Sequence, residues 1–480
     1  MVLKQKKTQS VPLPPKKKVA IEVESVLQKK AEKSPLECIN LNAAGIDIGS
    51  RSHFVAVPAD RDPQPVQEFP TFTADLERLA DWLKRCGITT VAMESTGVYW
   101  IPLYELLESR GFDIKLINAH HIKNVPGRKT DVVDCQWIQQ LHTFGLLSGS
   151  FRPDDEICVL RAHMRQRDNL IRYAGAHIQH MQKALNQMNI QLHHVVSDLT
   201  GVTGMKIIRA ILAGERDPQA LASHRERRCK HPVETIAKAL QGNWRQEHLF
   251  ALRQAVELFD VYQQKIDDCD QAIARVLDAL ESQTDQAAPQ PVRKQKLSRN
   301  TPDIDLHERL FQLTGVDLTR IDALNPHSVL KILAETGTDM TRWPSAKHFA
   351  SWLGLSPGNR VSGGKRIGKS QTTPSANRAA AAFRMAARSL YASQSALGGF
   401  FRRQKARLGS PKAVTAAAHK LAKIFYSMLK NKTAYEAPDA NYYEEQYRKR
   451  VMANLRKRAA QMGFDLVERS ADDDAQPCAV

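Results

Sequence analysis

Alternating and continuous runs of apolar residues divide residues 38–148 into short strands and helices. The pattern predicts strands at 43–49, 54–58, 66–72, 89–94 and 113–117, and helices at 75–86, at 100–110 and over the stretch that holds Asp131 and Asp134. Only a short turn separates the first two of these strands, and the first three together favour an antiparallel meander. Helices separate the later strands, so a right-handed crossover can place the fourth strand parallel to the first. That pairing would bring Asp47 and Glu94 to one edge of the sheet.

Two longer stretches, from Asp155 to about Leu199 and from Asn243 to about Ser282, have apolar residues at helical spacing. They predict two long helices that could pack as an antiparallel coiled arm. Such an arm can serve as a scaffold or can pair protomers.

Changes in composition predict the domain boundaries. Residues 1–37 form a Lys- and Pro-rich disordered tail, which is either a phosphate-binding arm or a solvated extension. An α/β domain at 38–155 and the helical arm at 156–283 follow. A linker at 284–304 leads to a mostly helical domain at 305–435, and residues 436–480 form a helix and then a disordered tail.

The charge of the chain indicates a polyanionic partner. The 480 residues carry a formal net charge of +18, and this excess favours nucleic acid over a membrane surface. No apolar run is long enough for a membrane span, so we expect a cytoplasmic protein. The seven cysteines are scattered without C-x-x-C spacing, which argues against a disulfide framework or a zinc site.

Four acids are candidates for a metal site. Asp131 and Asp134 lie three residues apart, on the helix side that also carries Ile138, and the amphipathic pattern predicts that this side faces the core. Unpaired carboxylates there would be costly, and a bound cation would remove that cost. Asp47 and Glu94 add two acids from strand ends, which makes a Mg²⁺ site. Any one of these acids alone would more commonly be a capping or turn residue.

Three stretches carry a family resemblance: "GIDIGSRSHFVAV", "AMESTGVYWIPLYELLESRGFDIKLINAHHIKNVPGRKTDVVDCQWIQQL" and "FASWLGLSPGNRVSGGKRIGK". Together they resemble the DEDD-type insertion-sequence transposases, which are related to Piv-type DNA invertases and of which several are guided by a structured bridge RNA. The resemblance covers about 43–170 and 308–432. It implies a ribonuclease-H-like (RuvC-like) domain similar to that of Holliday-junction resolvases. The family's four metal-binding acids fall on Asp47, Glu94, Asp131 and Asp134.

The stretch from Gly354 to Lys369 has five glycines and four cations, which predicts a loop that approaches an anionic partner. From the residues alone, Ser362 in this loop would be a turn serine. The resemblance implies that it is the nucleophile. Ser356, Ser370 and Ser375 are the competing candidates for this role.

Ten basic residues are candidates for contact with nucleic acid, and ordinary solvation is the alternative for them. They are Lys123, Arg128, Lys129, Arg360, Lys365, Arg366, Lys369, Arg384, Arg388 and Lys420. The stretch from Leu313 to Gly337 resembles a helix-hairpin-helix, whose role could be phosphate binding or packing.

The sequence therefore predicts an α/β plus α chain with three parts: a ribonuclease-H-like mixed sheet, a long coiled arm and a mostly helical C-terminal transposase domain. We expect a transposase or site-specific recombinase that uses two Mg²⁺ ions, with Mn²⁺ as a substitute, and forms a phosphoserine intermediate. Expected partners are double-stranded DNA, a structured guide RNA and further copies of the chain in a dimer or tetramer, in the cytoplasm on the nucleoid and without a membrane. The alternatives are a Mg²⁺-dependent Holliday-junction-type endonuclease without a covalent intermediate, and a non-catalytic nucleic-acid-binding protein.

Overall fold

The structure is a computed structural model that describes residues 37–118, 131–291, 300–358, 361–366, 372, 375–436 and 442–466. Its contacts divide the chain into two compact units, Met1–Arg152 and Pro153–Val480. The domain boundaries expected from composition stay predictions. None of the described helices has the length and apolar character that a membrane-spanning helix requires.

The first unit contains a mixed five-stranded sheet. Its elements are β1 (Ala43–Ile48), β2 (Ser52–Ala56), β3 (Val66–Pro70), α1 (Thr73–Arg85), β4 (Thr90–Glu94), α2 (Ile101–Ser109), β5 (Asp113–Ile117) and α3 (Asp131–Thr143). The strand order is β3-β2-β1-β4-β5. The first three strands are antiparallel, and β4 is parallel to both β1 and β5. The predicted ribonuclease-H-like sheet is confirmed, including the place of the fourth strand beside the first.

Helices cover the sheet on both faces. The larger core joins Ile46 and Met93 of the sheet to Leu79 of α1 and Leu103 of α2. A smaller cluster on the other face joins Ala92 and Ile117 to Ile138 of α3. Because side chains alternate between the faces of a strand, the residues next to Ile46 and Met93 in sequence face α3.

Two long antiparallel helices dominate the first part of the second unit. They are α4 (Asp155–Gln187) and α9 (Gln246–Ala279), and the shorter helices between them are α5 (Leu192–Val195), α6 (Val202–Ala213), α7 (Pro218–Ser223) and α8 (Val233–Ala239). The predicted coiled arm is confirmed, although α4 ends earlier than expected. Asn189 has a φ of 57° just beyond its end, and asparagine is one of the few residues that adopt this left-handed backbone readily. The four short helices share an apolar core with the ends of the two long helices. We call residues 188–245, which contain the four short helices, the arm cap.

A buried ion pair joins the two long helices. Arg167 is 1% exposed, and its Nε and Nη2 donate to the carboxylate of Asp270, the latter at 3.1 Å. The Nη1 of Arg167 donates to the carbonyl oxygen of Asn300 at 2.9 Å. A charge at this depth is tolerated because its donors are satisfied.

The remaining part of the second unit is mostly helical. It contains α10 (Leu306–Thr314), α11 (Pro326–Thr336), α12 (Ala346–Trp352), β6 (Val361–Ser362), β7 (Lys365–Arg366), α13 (Arg378–Ser389), α14 (Ala396–Leu408), α15 (Ser410–Asn431) and α16 (Tyr442–Gln461). Phe349, Phe383 and Phe425 are fully buried where α12, α13 and α15 meet. In the turn after α10, Asp317 is buried and accepts a hydrogen bond from the Thr319 backbone, which favours the packing role for the hairpin between α10 and α11.

Candidate active site

Asp47 and Glu94 lie next to each other on the face of the sheet that α3 covers. Gly45 of β1 is opposite Ala92 of β4 and Ile46 is opposite Met93, so the same register extended by one residue brings Asp47 beside Glu94. Asp47 is two residues after Gly45 and Glu94 is two residues after Ala92. Since side chains alternate along a strand, both acids lie on the same face of the sheet as that glycine and alanine. Neighbouring strands are about 4.8 Å apart, so the two carboxylates are neighbours at the carboxyl ends of these strands.

Gly45 is the point where α3 meets the sheet. A Cβ added at this glycine would lie 2.2 Å from the backbone nitrogen of Gln139 and 2.5 Å from the carbonyl oxygen of Cys135. These are backbone atoms, so only a glycine permits the approach. The helix runs opposite to β1, which places its first turn, with Asp131 and Asp134, at the end of the strand that carries Asp47.

Two of these acids, Asp47 and Asp134, act electrostatically on the thiol of Cys135. Its pKa is raised to about 12, first by burial and then by the negative charges of Asp47 and, more weakly, Asp134. The Sγ–H donates to the carbonyl oxygen of Val132 at 3.1 Å. Cys135 therefore stays a neutral thiol.

Glu94 is held by the turn that follows its strand. The Oγ1 of Thr96 donates to the Oε1 of Glu94 at 2.9 Å. Ser95 anchors the same turn, because its backbone N–H and its hydroxyl both donate to the carbonyl oxygen of Ile117, at 2.9 and 3.0 Å. The next residues, Val98 and Tyr99, are exposed large apolar side chains. The turn thus orients Glu94 and presents an exposed surface beside it.

The expectation that both acids of α3 face the core is wrong for Asp131. The buried positions of this helix are Cys135, Ile138 and His142. Asp131 is exposed and Asp134 is partly buried. The expectation failed because the buried stripe of α3 starts only at Cys135, so the turn that carries Asp131 lies outside the packed part of the helix.

The chemistry of the four acids fits a hard divalent cation, because carboxylate oxygens are the ligands that Mg²⁺ and Mn²⁺ prefer. Their side chains do not form a closed ligand set, however. Within the described part of the chain, no three His, Cys, Asp or Glu side chains are grouped so that they could hold a metal ion. The metal-binding roles of Asp47, Glu94, Asp131 and Asp134 stay predictions.

A buried histidine fixes the far end of α3. The Nε2 of His142 lies 2.9 Å from the Oγ1 of Thr90 in β4. Burial lowers the pKa of His142 to about 4, so the ring is neutral near pH 7. Together with the contact at Gly45, this bond determines how α3 lies across the sheet. The sequence did not indicate the positioning roles of Gly45 and His142. The available signal was a glycine two positions before Asp47 in a strand.

Ser362 lies in a tight β-hairpin rather than in an open loop. Val361 and Ser362 pair with Arg366 and Lys365, and only Gly363 and Gly364 connect the two strands. Both glycines have positive φ, 56° and 76°, as a two-residue hairpin turn of type I′ requires. We call residues 361–366 the serine hairpin. Ser362 and Lys365 are directly opposite each other and both are exposed.

The other predicted contact residues are distributed between described and undescribed parts of the chain. Lys123, Arg128, Lys129, Arg360, Lys369 and the competing Ser370 lie outside the described residues, as does the side chain of Arg366. Arg388 is exposed on α13, whereas Arg384 donates to the carbonyl oxygen of Gly354 at 3.4 Å. Lys420 of α15 is half-buried, and burial followed by the charge of Lys423 lowers its pKa to about 8.

Comparisons with known protein families agree with this architecture. Residues 44–190, which include all four acids, match the family DEDD_Tnp_IS110, described as transposase. Residues 317–401, which include the serine hairpin, match the transposase IS116/IS110/IS902 family. A comparison with curated proteins found no match. The two matches and the ribonuclease-H-like sheet identify the chain as an insertion-sequence transposase of the DEDD type, an enzyme that acts on DNA.

Proposed function

We propose that this transposase cuts and rejoins DNA strands with Asp47, Glu94, Asp131 and Asp134 as ligands of divalent cations and Ser362 as the nucleophile. The observation that carries the proposal is the convergence of acids at one edge of the sheet. The register of β1 and β4, extended by one residue beyond Ile46 and Met93, brings Asp47 beside Glu94, and the helix whose first turn carries the other two acids covers the same face. When bound there, Mg²⁺ or Mn²⁺, with two ions as the expected number, would offset negative charge at the phosphate.

The serine reaction conserves phosphodiester bonds. The Oγ of Ser362 attacks the phosphorus, the bond from phosphorus to one deoxyribose oxygen breaks, and that oxygen leaves as a hydroxyl while the serine loses its proton. The product is a phosphoserine ester and a free strand end. A hydroxyl from a new partner strand then attacks the phosphoserine and releases Ser362. No nucleotide cofactor is consumed, because each step forms one phosphate ester and breaks one.

The serine hairpin is suited to this role by its exposure and by the residue opposite the serine. Side chains that face each other across an antiparallel pair lie on the same side, with Cβ atoms about 5 Å apart. Lys365 can therefore bind a phosphate oxygen while the hydroxyl of Ser362 approaches the phosphorus. The short turn holds both side chains in register, which limits the freedom lost when DNA binds.

Trapping of a covalent adduct tests the nucleophile. Wild-type protein, Ser362→Ala and Ser375→Ala are incubated with DNA and Mg²⁺, denatured, and assayed for DNA-linked protein. We expect the adduct in wild type and Ser375→Ala and none in Ser362→Ala. An adduct that persists in Ser362→Ala would move the nucleophile elsewhere. Mg²⁺-dependent cleavage by Ser362→Ala without an adduct would instead establish the hydrolytic, Holliday-junction-type endonuclease.

A second variant tests the metal role separately. Asp134→Asn keeps the size of the side chain but removes its charge, so we expect cleavage to be abolished while DNA binding is largely retained. Mg²⁺-dependent cleavage at the wild-type rate would remove Asp134 from the ligand set.

We infer that the arm pairs protomers of a homo-oligomer. Phe250, Leu258 and Val261 are 62, 46 and 54% exposed on one side of α9, and an apolar stripe of this kind is typical of a helix with a partner. Light scattering at several concentrations measures the mass. Val261→Glu should shift it toward the monomer, whereas Gln264→Glu, a charge added beside the stripe, should not. Equal masses would contradict the inference.

A structured guide RNA is part of the proposal through the family resemblance, and a nucleoid-associated location follows from the DNA substrate. If RNA directs the enzyme, ribonuclease treatment should abolish sequence-specific cleavage and added RNA should restore it. Specific cleavage that survives ribonuclease would contradict RNA guidance without affecting the roles of Ser362 or the four acids.

A further inference from the structure

The arm cap contains an open groove that neither family match covers. A cavity of about 1080 Å³ lies between the turn that follows α5 and the segment 224–232 that joins α7 to α8. Its lining includes His194, Asp198, Arg227, Arg228, Lys230 and His231. The matched regions end at residue 190 and begin again at residue 317. The groove is therefore a feature that the family comparison does not assign.

Within the described part of the chain, the three cations of the groove have no partner of opposite charge. Arg227, Arg228 and Lys230 are exposed, and no carboxylate of a described residue lies within 4.0 Å of their charged groups. Three neighbouring cations without acids repel one another, which costs stability unless an anion binds. This arrangement favours binding of a polyanion.

The carboxylates of the groove are already engaged by the chain's own donors. Glu226 forms an ion pair with Lys206 at 2.6 Å, and the hydrogen bond from that lysine lowers the pKa of Glu226. The Oδ1 of Asp198 accepts from the backbone N–H and the hydroxyl of Thr200, at 2.9 and 2.8 Å. These acids therefore offset little of the charge of the three cations.

The basic segment is held in place by hydrogen bonds. The Nη2 of Arg225 donates to the carbonyl oxygen of Cys229 at 2.8 Å, and the backbone N–H of Cys229 donates to the carbonyl oxygen of Glu226 at 2.9 Å. The thiol of Cys229 donates to the carbonyl oxygen of Val195 at 3.5 Å, and the N–H of Glu226 donates to the hydroxyl of Thr203 at 3.1 Å. Binding would thus not have to order a loose loop first.

We propose that this groove binds the phosphate backbone of a nucleic acid, as a contact separate from the carboxylate edge and the serine hairpin. Two arginines and a lysine suit phosphate oxygens. Planar guanidinium and imidazole groups, here those of Arg227, Arg228, His194 and His231, are also surfaces on which unpaired bases stack. An acidic peptide would use the cations but not these flat groups, so nucleic acid fits the lining better.

The test replaces the three cations by glutamine in the full-length chain, as Arg227→Gln/Arg228→Gln/Lys230→Gln. A control triple, Arg172→Gln/Lys183→Gln/Arg245→Gln, removes the same charge from exposed positions elsewhere on the arm and its cap. Both are made in the Asp134→Asn background so that binding is measured without cleavage, and circular dichroism checks folding. Anisotropy is recorded with a short labelled DNA duplex and an RNA stem-loop, each of unrelated sequence, from about 50 to about 200 mM salt.

The groove variant should bind at least about tenfold more weakly at the lower salt concentration, and the slope of log affinity against log salt should decrease by roughly 2 to 3. Loss confined to the RNA probe would assign the groove to RNA, and loss confined to the duplex would assign it to DNA. Unchanged binding of both probes, or an equal loss in the control triple, would overturn the proposal. Neither outcome bears on cleavage by Ser362 or on the metal ligands.

Discussion

Substitution of Gly45 by alanine is the sharpest test of how the fold positions the acids. The new Cβ would lie 2.2 Å from the backbone nitrogen of Gln139, 2.5 Å from the carbonyl oxygen of Cys135 and 2.7 Å from the Cα of Gln139. Ordinary contact begins near 3.4 Å. These are backbone atoms of α3, so no side chain can rotate away, and the helix must retreat from the sheet by about 1 Å.

That displacement has two measurable consequences. Overpacking at a tight contact costs roughly 1–3 kcal/mol, which for a unit of this size corresponds to a fall in Tm of roughly 5–15 °C. A shift of about 1 Å in groups that bind a reacting phosphate can cost about 100-fold in rate. We therefore expect Gly45→Ala to lower both the Tm of the first unit and the rate of strand cleavage, with nucleic-acid binding affected little.

Calorimetry and a Mg²⁺-dependent cleavage assay measure these effects. The matched control is Gly149→Ala in the same unit, where the added Cβ would meet only the flexible side chain of Lys115 at 3.4 Å. A Gly45→Ala protein with wild-type Tm and wild-type cleavage would refute the packing argument. A lowered Tm with unchanged cleavage would retain the packing argument and refute the link between the position of α3 and chemistry.

Two further predictions concern buried charge. Asp270→Ala leaves Arg167 buried without its partner and should lower the free energy of unfolding by about 3–5 kcal/mol. Asp260 on the same helix forms an exposed ion pair with Arg209 at 3.0 Å, so Asp260→Ala should lower the free energy of unfolding by less than about 1 kcal/mol. Equal losses in urea unfolding would contradict the role of burial. His142 has a native pKa of about 4, below its ordinary value of 6.5, so the unfolded chain binds more protons between these values and stability falls as the pH drops. Between pH 7 and pH 5 this residue should lower the free energy of unfolding by about 2 kcal/mol. Urea unfolding at the two pH values should show this loss in the wild type and not in His142→Gln.

Local signals in the sequence determined much of the first unit. Apolar residues recur with a period of two in strands and with a period near 3.6 in helices, and both patterns depend on neighbouring residues alone. Asp47 and Glu94 could be placed together because the order of strands and helices restricts the pairing of a crossover. The predicted β5 agrees with Asp113–Ile117 at both ends.

Only the tertiary structure decided features that depend on residues far apart in the chain. Arg167 and Asp270 are separated by 103 positions, and nothing in their own segments indicates that they pair. The exposure of Asp131 depends on where α3 crosses β1, and this is decided by the contact of Gly45 with Cys135 and Gln139. Such contacts arise from packing of preformed elements, which local periodicity does not encode.

The net charge of the chain follows from its sequence, whereas the position of a binding surface depends on the fold. The net charge of +18 predicted a polyanionic partner, because charge adds up independently of fold. Which cations remain without a carboxylate, as Arg227, Arg228 and Lys230 do among the residues that the structure describes, depends on the side chains that folding brings near them. The groove of the arm cap could therefore be found only in the folded chain, where Lys206 and Thr200 engage the acids that would otherwise offset those cations.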